Sequence, residues 1–293
     1  MKQVPEVTTT VDVRPRIATI LSELERATDG IYSGRMTTAV AQADEIRLRE
    51  AVAERSGGHL LEQVGRHHSI PVMDAEVRWF LARIPRHGVI VDVGGGWGWH
   101  WRHLGVERPD VGVVLVDFVR ANLAVAARLL GSVVDARVFL VHAEATTLPF
   151  PPSSFDGYWS VQALQHIPGL QAALTEADRV LKPGGEFAAY WLNRAPMVEA
   201  AYRLMRRRYH RQGRIAGSFY LARASADMAA TVARVFGSPV VSRYTEILFH
   251  PDLRAYTGSA RSRIGALDAR LSGSMPLLSW VARQRSYHTR KQS

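Results

Sequence analysis

The chain has 293 residues, 47 % of them apolar, and a formal net charge of +10, a size and composition that suit one large domain or a core domain with extensions. It contains no cysteine, which excludes disulfides, thiolate metal sites and cysteine nucleophiles together. No apolar run approaches ~18 residues and the amino terminus lacks an apolar signal-peptide core, so neither a membrane span nor a secretory signal is expected and a cytoplasmic protein is the default.

In chain order, residues 14–28 and 36–55 read as amphipathic helices, the second ended by Gly57-Gly58. Residues 59–86 form a mixed connector, with a helix expected at 74–84. From 88 to 192 the pattern alternates between strand and helix, which implies a parallel sheet covered on both faces. The expected strands are Val89–Val93, Val111–Val116, Ala136–His142, Gly157–Val161 and Glu186–Leu192. The expected helices are Trp97–Leu104, Ala121–Leu130 and Leu170–Leu181, the last stopped by the turn Lys182-Pro-Gly-Gly185. Beyond 195 the spacing predicts helices at 197–211 and 225–236, the latter capped by Ser225, and one or two strands within 239–249. No structure is assigned from 251 on.

The most informative stretch is Val89-Ile-Val-Asp-Val-Gly-Gly-Gly-Trp-Gly98, a buried strand running into a glycine turn. Asp92, Gly94, Gly96 and Gly98 follow the pattern acid-x-Gly-x-Gly-x-Gly. Glycine belongs where the turn needs positive φ and where a ligand lies against the backbone. A dinucleotide fingerprint would require a third glycine at position 99, which is Trp. An acid two residues before the first glycine suits a ligand with an ammonium group, such as S-adenosylmethionine (SAM). An ordinary tight strand-to-helix turn would use the same glycines.

Further pieces fall at spacings that suit SAM. Asp117 ends the second strand, 25 residues after Asp92, where an acid accepts hydrogen bonds from ribose hydroxyls. Glu144-Ala145 follows the third strand, at the level of an adenine edge. Together the motifs resemble the class I SAM-dependent methyltransferases, and within them the group that includes the quinone-biosynthesis enzymes. Asp92–Gly98 is similar to that family's first motif and Val116-Asp117 to its ribose-binding acid. Ala143-Glu-Ala-Thr-Thr-Leu-Pro-Phe150 is similar to its Gly-Asp-Ala-x-x-Leu-Pro-Phe, with Glu144 replacing the usual Asp. Ser154-Phe-Asp156 through Ile167 and Arg179–Gly185 complete a likeness that covers about residues 75–193.

The resemblance implies a Rossmann-like α/β fold: a seven-stranded, mostly parallel sheet with helices on both faces, plus N-terminal helices and a basic C-terminal extension. The expected organisation, with both ends outside the likeness, is an N-terminal helical extension or lid at 1–73, a SAM-binding domain at 74–250 with a cap insertion near 195–224, and a basic tail at 251–293. The implied cofactor is SAM, with S-adenosylhomocysteine as its product. The cofactor residues are Asp92, Gly94, Gly95, Gly96, Gly98, Asp117, Phe118, Glu144, Ala145 and Ser160; no metal is expected. The sulfonium methyl is already activated, so alignment supplies much of the catalysis and a base is needed only for a protonated nucleophile. His166, just past the fourth strand, is the first general-base candidate, against a structural role at a helix start. His67 and His68 are weighed as lid residues against a surface loop. Tyr158 and Trp159 are expected to pack within their strand. Trp97, Trp99 and Trp101 are weighed as stacking surfaces against helix packing, and Asn193 as a substrate contact against a turn residue.

Residues 201–293 carry 17 basic and 4 acidic side chains, a net of +13 that exceeds the whole chain's charge. Residues 203–214 hold six arginines and no acid, a candidate clamp on an anion or a solvated face. Residues 271–281, followed by further basic residues, suit either a membrane interface or packing on the core. The expected function is methyl transfer to a small-molecule or lipid-like acceptor, O-, C- or N-linked. The alternatives are an RNA methyltransferase using the basic final third and a non-catalytic SAM-fold binding protein. The expected partners are an acceptor that carries negative charge in one version, and a membrane surface touched through the C-terminal tail.

Overall fold

The computed structural model describes residues 12–34, 36, 43–54, 59–206, 228–251 and 256–293. Its centre is a nine-stranded sheet of order β1-β2-β5-β4-β3-β6-β7-β9-β8. The seven longer strands are β3 (Val89–Val93), β4 (Gly112–Asp117), β5 (Val138–His142), β6 (Phe155–Val161), β7 (Leu181–Leu192), β8 (Val241–Thr245) and β9 (Gln284–Arg290). The other two, β1 (Glu25–Arg26) and β2 (Tyr32–Ser33), form a two-residue hairpin that extends the β5 edge. They account for nine strands against the seven expected, and the class is unchanged.

β3, β4 and β5 are near-continuous runs of Val, Ile and Leu, as strands buried on both faces must be. All pairings from β5 to β7 are parallel. One face carries α1 (Arg14–Ile20), α7 (Leu170–Val180) and α9 (Ala229–Phe236) through Ile17, Leu174, Ala177, Val232 and Phe236. The other face carries α4 (Ile70–Leu81), α5 (Leu104–Glu107) and α6 (Arg120–Leu130) through Met73, Val77, Phe80, Leu104 and Leu123. Ahead of these lie α2 (Ala43–Glu54), which packs on α6, and α3 (Leu60–His67). α8 (Pro196–Leu204) follows β7.

Several boundaries differ from the sequence reading. The helix expected at 14–28 stops at Ile20, and residues 25–33 turn into the hairpin. The expected connector is helical: α3 occupies 60–67, and α4 starts at Ile70 with Pro71 in its first turn, where a missing N–H costs nothing. The helix expected from Trp97 is a 3₁₀ turn over Trp99–Trp101 followed by the four-residue α5. All three residues of that turn are buried, which a single amphipathic helix face does not allow. The Ser225 cap and the ends of the helices expected at 36–55 and 197–211 lie outside the described residues.

The largest departure is at the carboxyl end. β9 lies inside the stretch expected as a C-terminal extension, yet it inserts between β7 and β8, antiparallel to both. It follows α10 (Arg263–Leu271), capped by the Ser262 hydroxyl accepting the Gly265 N–H at 3.0 Å, and a 3₁₀ helix over Pro276–Trp280. Part of the basic excess is neutralised inside this region. Arg243 makes a two-pronged pair with Glu76, Arg283 pairs with the fully buried Glu246, and Arg290 pairs with Glu186. The division expected at residue 250 therefore runs through the sheet.

Candidate active site

The order of strand addition reverses at β3: the chain builds outward through β4 and β5, then returns to β6 on β3's other side. In open α/β sheets the crevice beyond the carboxyl ends of strands at such a point is where ligands sit. Here it is bounded by the Gly94–Gly98 turn, the end of β4 and the turn after β6.

The glycine turn is held from below. The Gly94 and Gly95 N–H groups both donate to the Val116 carbonyl, at 2.8 and 3.1 Å, which locks the turn onto the end of β4. Gly94 has φ +71°, and a Cβ there would overlap the Ala163 side chain across the crevice. Gly96 has φ +55° with open space where a Cβ would stand, so its backbone faces the crevice uncovered. Gly95 and Gly98 are hemmed instead by Leu115, with Asp92 beneath Gly95.

Asp92 is buried in the middle of β3. Its Oδ2 accepts the Trp101 indole N–H at 2.7 Å, while Oδ1 has no hydrogen-bond partner among the described residues. Burial pushes its carboxyl up to about 7, against the lowering effect of the Trp101 bond. This buried, half-satisfied acid is set to take a cation. Asp117 is also buried, and burial raises its carboxyl although three donors oppose the rise. Its Oδ2 accepts the Gly96 N–H at 2.9 Å; its Oδ1 accepts the Val119 N–H at 2.8 Å and the Asn122 amide at 3.3 Å. Asp117 thus fixes the open end of the glycine turn to the start of α6. α2 brings Arg49 within electrostatic reach of both Asp117 and His68.

The remaining sequence candidates divide. Phe118 is half-buried, and its carbonyl lies 3.1 Å from His142 Nε2. Glu144 is buried in the turn after β5, beside the half-buried Ala145. Ser160 donates its hydroxyl to the Val93 carbonyl at 2.8 Å, so it ties β6 to β3 beneath the turn. His166 is half-buried in a 3₁₀ turn over Leu164–His166, with its Nε2 3.2 Å from the Gln165 amide. The Asn193 amide donates to the Ser279 and Ala282 carbonyls and so anchors the carboxyl-terminal segment. Trp101 packs against Trp159, while Trp97 donates to the Asn122 side chain at 3.2 Å. Of the arginine-rich run, residues 207–214 lie outside the described residues.

Three features escaped the sequence reading. The Trp101–Asp92 bond needs the 3₁₀ geometry of 99–101, which nothing local predicts. Gln162 takes φ +52° at the end of β6, an uncommon conformation for a non-glycine residue, and gives its N–H to the Tyr190 carbonyl at 2.8 Å. The third is a buried aromatic cluster beside the glycine turn. Trp99 lies 4.0 Å from the His100 ring and 5.8 Å from the His68 ring, and His100 meets Trp159 edge-on at 5.9 Å. His68 Nδ1, both His100 nitrogens and Trp159 Nε1 have no hydrogen-bond partner among the described residues. Burial holds the His100 imidazole down to about 3 and keeps His68 well below the usual histidine range, so both rings are neutral at pH 7.

Comparison with known proteins agrees with this geometry. Residues 91–189 match the methyltransferase domain family. Among curated proteins, the ubiquinone/menaquinone biosynthesis C-methyltransferase UbiE of Methylobacterium nodulans is 37 % identical over 99 residues, 33 % of this chain and 39 % of that protein. The 24-methylenesterol C-methyltransferase 2 of Oryza sativa subsp. japonica is 32 % identical over 130 residues, 43 % of this chain and 35 % of that one. The chain thus spans less than half the length of these two relatives. Among solved structures, a SAM-dependent methyltransferase from Thermotoga maritima superposes with a TM-score of 0.53 at 16 % identity, covering 85 % of this chain and 99 % of that one, and supports the fold. The glycine turn, the acids of β3 and β4 and the sheet order agree with the match of residues 91–189 to the methyltransferase domain family.

Proposed function

We infer that the chain is a SAM-dependent methyltransferase acting on a small-molecule, lipid-like acceptor. The observation that carries the reading is the glycine cradle with an acid beneath it that lacks one partner. The residues fit the cofactor. Asp92 Oδ1 would receive its ammonium group, the uncovered backbone at Gly96 leaves room for its close approach, and Asp117 holds that backbone in place. Phe118, Glu144 and Ala145, at the ends of β4 and β5, would line the nucleoside side. Ser160 supports the floor from β6. When bound, the sulfonium supplies a methyl group already activated for in-line displacement.

The chain's own residues would then align the acceptor, since alignment accounts for much of such a rate. The His68–Trp99–His100–Trp159 cluster offers neutral polar atoms among aromatic rings. That favours an uncharged, partly apolar acceptor over a free phosphate. Two curated relatives carry the names of quinone and sterol C-methyltransferases, which agrees with such an acceptor. His166 is the general base where the acceptor arrives protonated. α2 would act as a lid, carrying Arg49 toward Asp117. A protein of this kind works in the cytoplasm or at the inner face of a membrane.

Calorimetric titration with SAM and S-adenosylhomocysteine tests the cradle. Incubation with methyl-labelled SAM and host extract, then fractionation into lipid, small molecules and RNA, tests the acceptor. Absence of SAM binding refutes the reading. Label confined to RNA overturns the acceptor class.

A further inference from the structure

α10 packs its Gly265 and Asp268 side inward, against α4 and β8, with Pro71 close beneath Gly265. One flank of the helix, beside that buried side, presents Ile264, Leu267 and Leu271, spaced i, i+3, i+7 on one stripe and each about half exposed. The chain continues directly into Met275, Leu277 and Trp280, exposed at 62 %, 71 % and 54 %. A helix with an apolar outer stripe is unusual on a water-facing surface, and six large apolar side chains within 17 residues form more than scattered exposure. α8 packs against the same 3₁₀ helix and adds the 91 %-exposed Leu204.

The surrounding charge identifies the occupant. At 100° per residue, Arg263 and Arg270 flank the stripe on the solvent side of α10, and Arg261 precedes it. All three are exposed, and none pairs with an acid among the described residues. Residues 256–293 contain one acid, Asp268, and it is fully buried. Cations beside apolar and Trp side chains are the pattern of an interfacial helix on anionic lipid. A second copy fits worse, because a two-fold contact would set the same arginines face to face.

We propose that the outer face of α10 and the following 3₁₀ helix is a docking surface for an anionic lipid bilayer. This goes beyond the methyltransferase reading and does not depend on it. Ile264, Leu267, Leu271, Leu277 and Trp280 enter the headgroup–acyl boundary, and the three arginines meet lipid phosphates.

The test uses the full chain and vesicles of phosphatidylcholine alone or with about one-third phosphatidylglycerol. Three arginines near an anionic leaflet correspond to about a hundredfold in partitioning. Flotation should therefore rise steeply with phosphatidylglycerol and fall as salt rises. The chain has no cysteine, so Leu277→Cys gives a unique site for an environment-sensitive dye. Its emission should shift to the blue on anionic vesicles, while a label at Ser22→Cys, next to the hairpin on the opposite sheet edge, should not respond. Leu277→Ser with Trp280→Ser, and separately Arg263→Glu with Arg270→Glu, should each cut flotation at least tenfold while SAM titration stays as in the parent. Equal flotation on both vesicle types, or variants that float like the parent, overturns the proposal. So does a dimer in solution that these variants dissociate, which would assign the face to a second copy. Failure of the parent to float on anionic vesicles while it binds SAM sinks the docking surface alone; absence of SAM binding in the parent sinks the methyltransferase reading alone.

Discussion

Replacing Asp92 by Asn separates the cost of the buried acid from its use. The side chain keeps its shape, and its amide oxygen still accepts the Trp101 indole N–H, but the charge is gone. Burial lifts the Asp92 carboxyl from the ordinary 3.8 to about 7. At about 1.4 kcal/mol per decade of proton affinity, carrying the bare carboxylate above pH 7 costs the ligand-free protein about 4 kcal/mol. The native state holds this proton more tightly than the unfolded chain, so ligand-free stability falls as pH rises from about 4 to about 7 and then levels. Asp92→Asn should remove that fall: little change at pH 4, and a gain approaching the same magnitude at pH 8, reduced by any relaxation around the site. Ligand affinity should move the other way. An ammonium at Oδ1 favours the charged form, so parent SAM affinity should rise about a hundredfold from pH 5 to pH 8 as binding displaces the proton. The Asn variant should bind weakly, with no such slope. Thermal unfolding and calorimetry across pH 4–8 measure both arms. A variant that is less stable at pH 8, or that keeps parental affinity and pH slope, would refute the role given to Asp92.

Other substitutions test neighbouring parts. Gly94→Ala should abolish SAM binding and destabilise the fold, since its Cβ overlaps Ala163; Gly96→Ala, with free space but φ +55°, should cost only about 1–2 kcal/mol in unfolding experiments yet still weaken binding. Asp117→Ala leaves the Gly96 and Val119 N–H groups without their acceptor, so a loss of about 1–3 kcal/mol should accompany a large drop in SAM affinity by calorimetry, the fold being retained. Arg283→Met strands Glu246 without its partner. Urea unfolding should show a loss of about 3–5 kcal/mol, whereas a neutral result would mean that this pair does not hold β9 in place.

The sheet's parallel half was legible because its signals are local. β3, β4 and β5 are apolar runs closed by turn residues, and the helix-strand alternation between 88 and 192 fixes their neighbours. The glycine turn was legible for the same reason, since positive φ and close approach leave their mark residue by residue. What the sequence hid was of longer range or contrary to pattern. Gln284–Arg290 is polar at almost every position, yet it forms an interior strand, because Thr245 bonds Gln284, Ser286 lies 2.8 Å from the His288 ring, and β7 and β8 satisfy its backbone on both edges. The His68–Trp99–His100–Trp159 cluster joins four residues from three places in the chain.

The sequence by itself determined the α/β class, the parallel character of the central strands and the glycine bend after β3, because each rests on conformational preferences of adjacent residues. Only the tertiary structure decided that the basic carboxyl end completes the sheet, that Trp101 reaches Asp92, and that the outer face of α10 is left uncovered. Those outcomes depend on which distant groups satisfy one another's hydrogen bonds and charges once water is expelled, and no local pattern encodes that pairing.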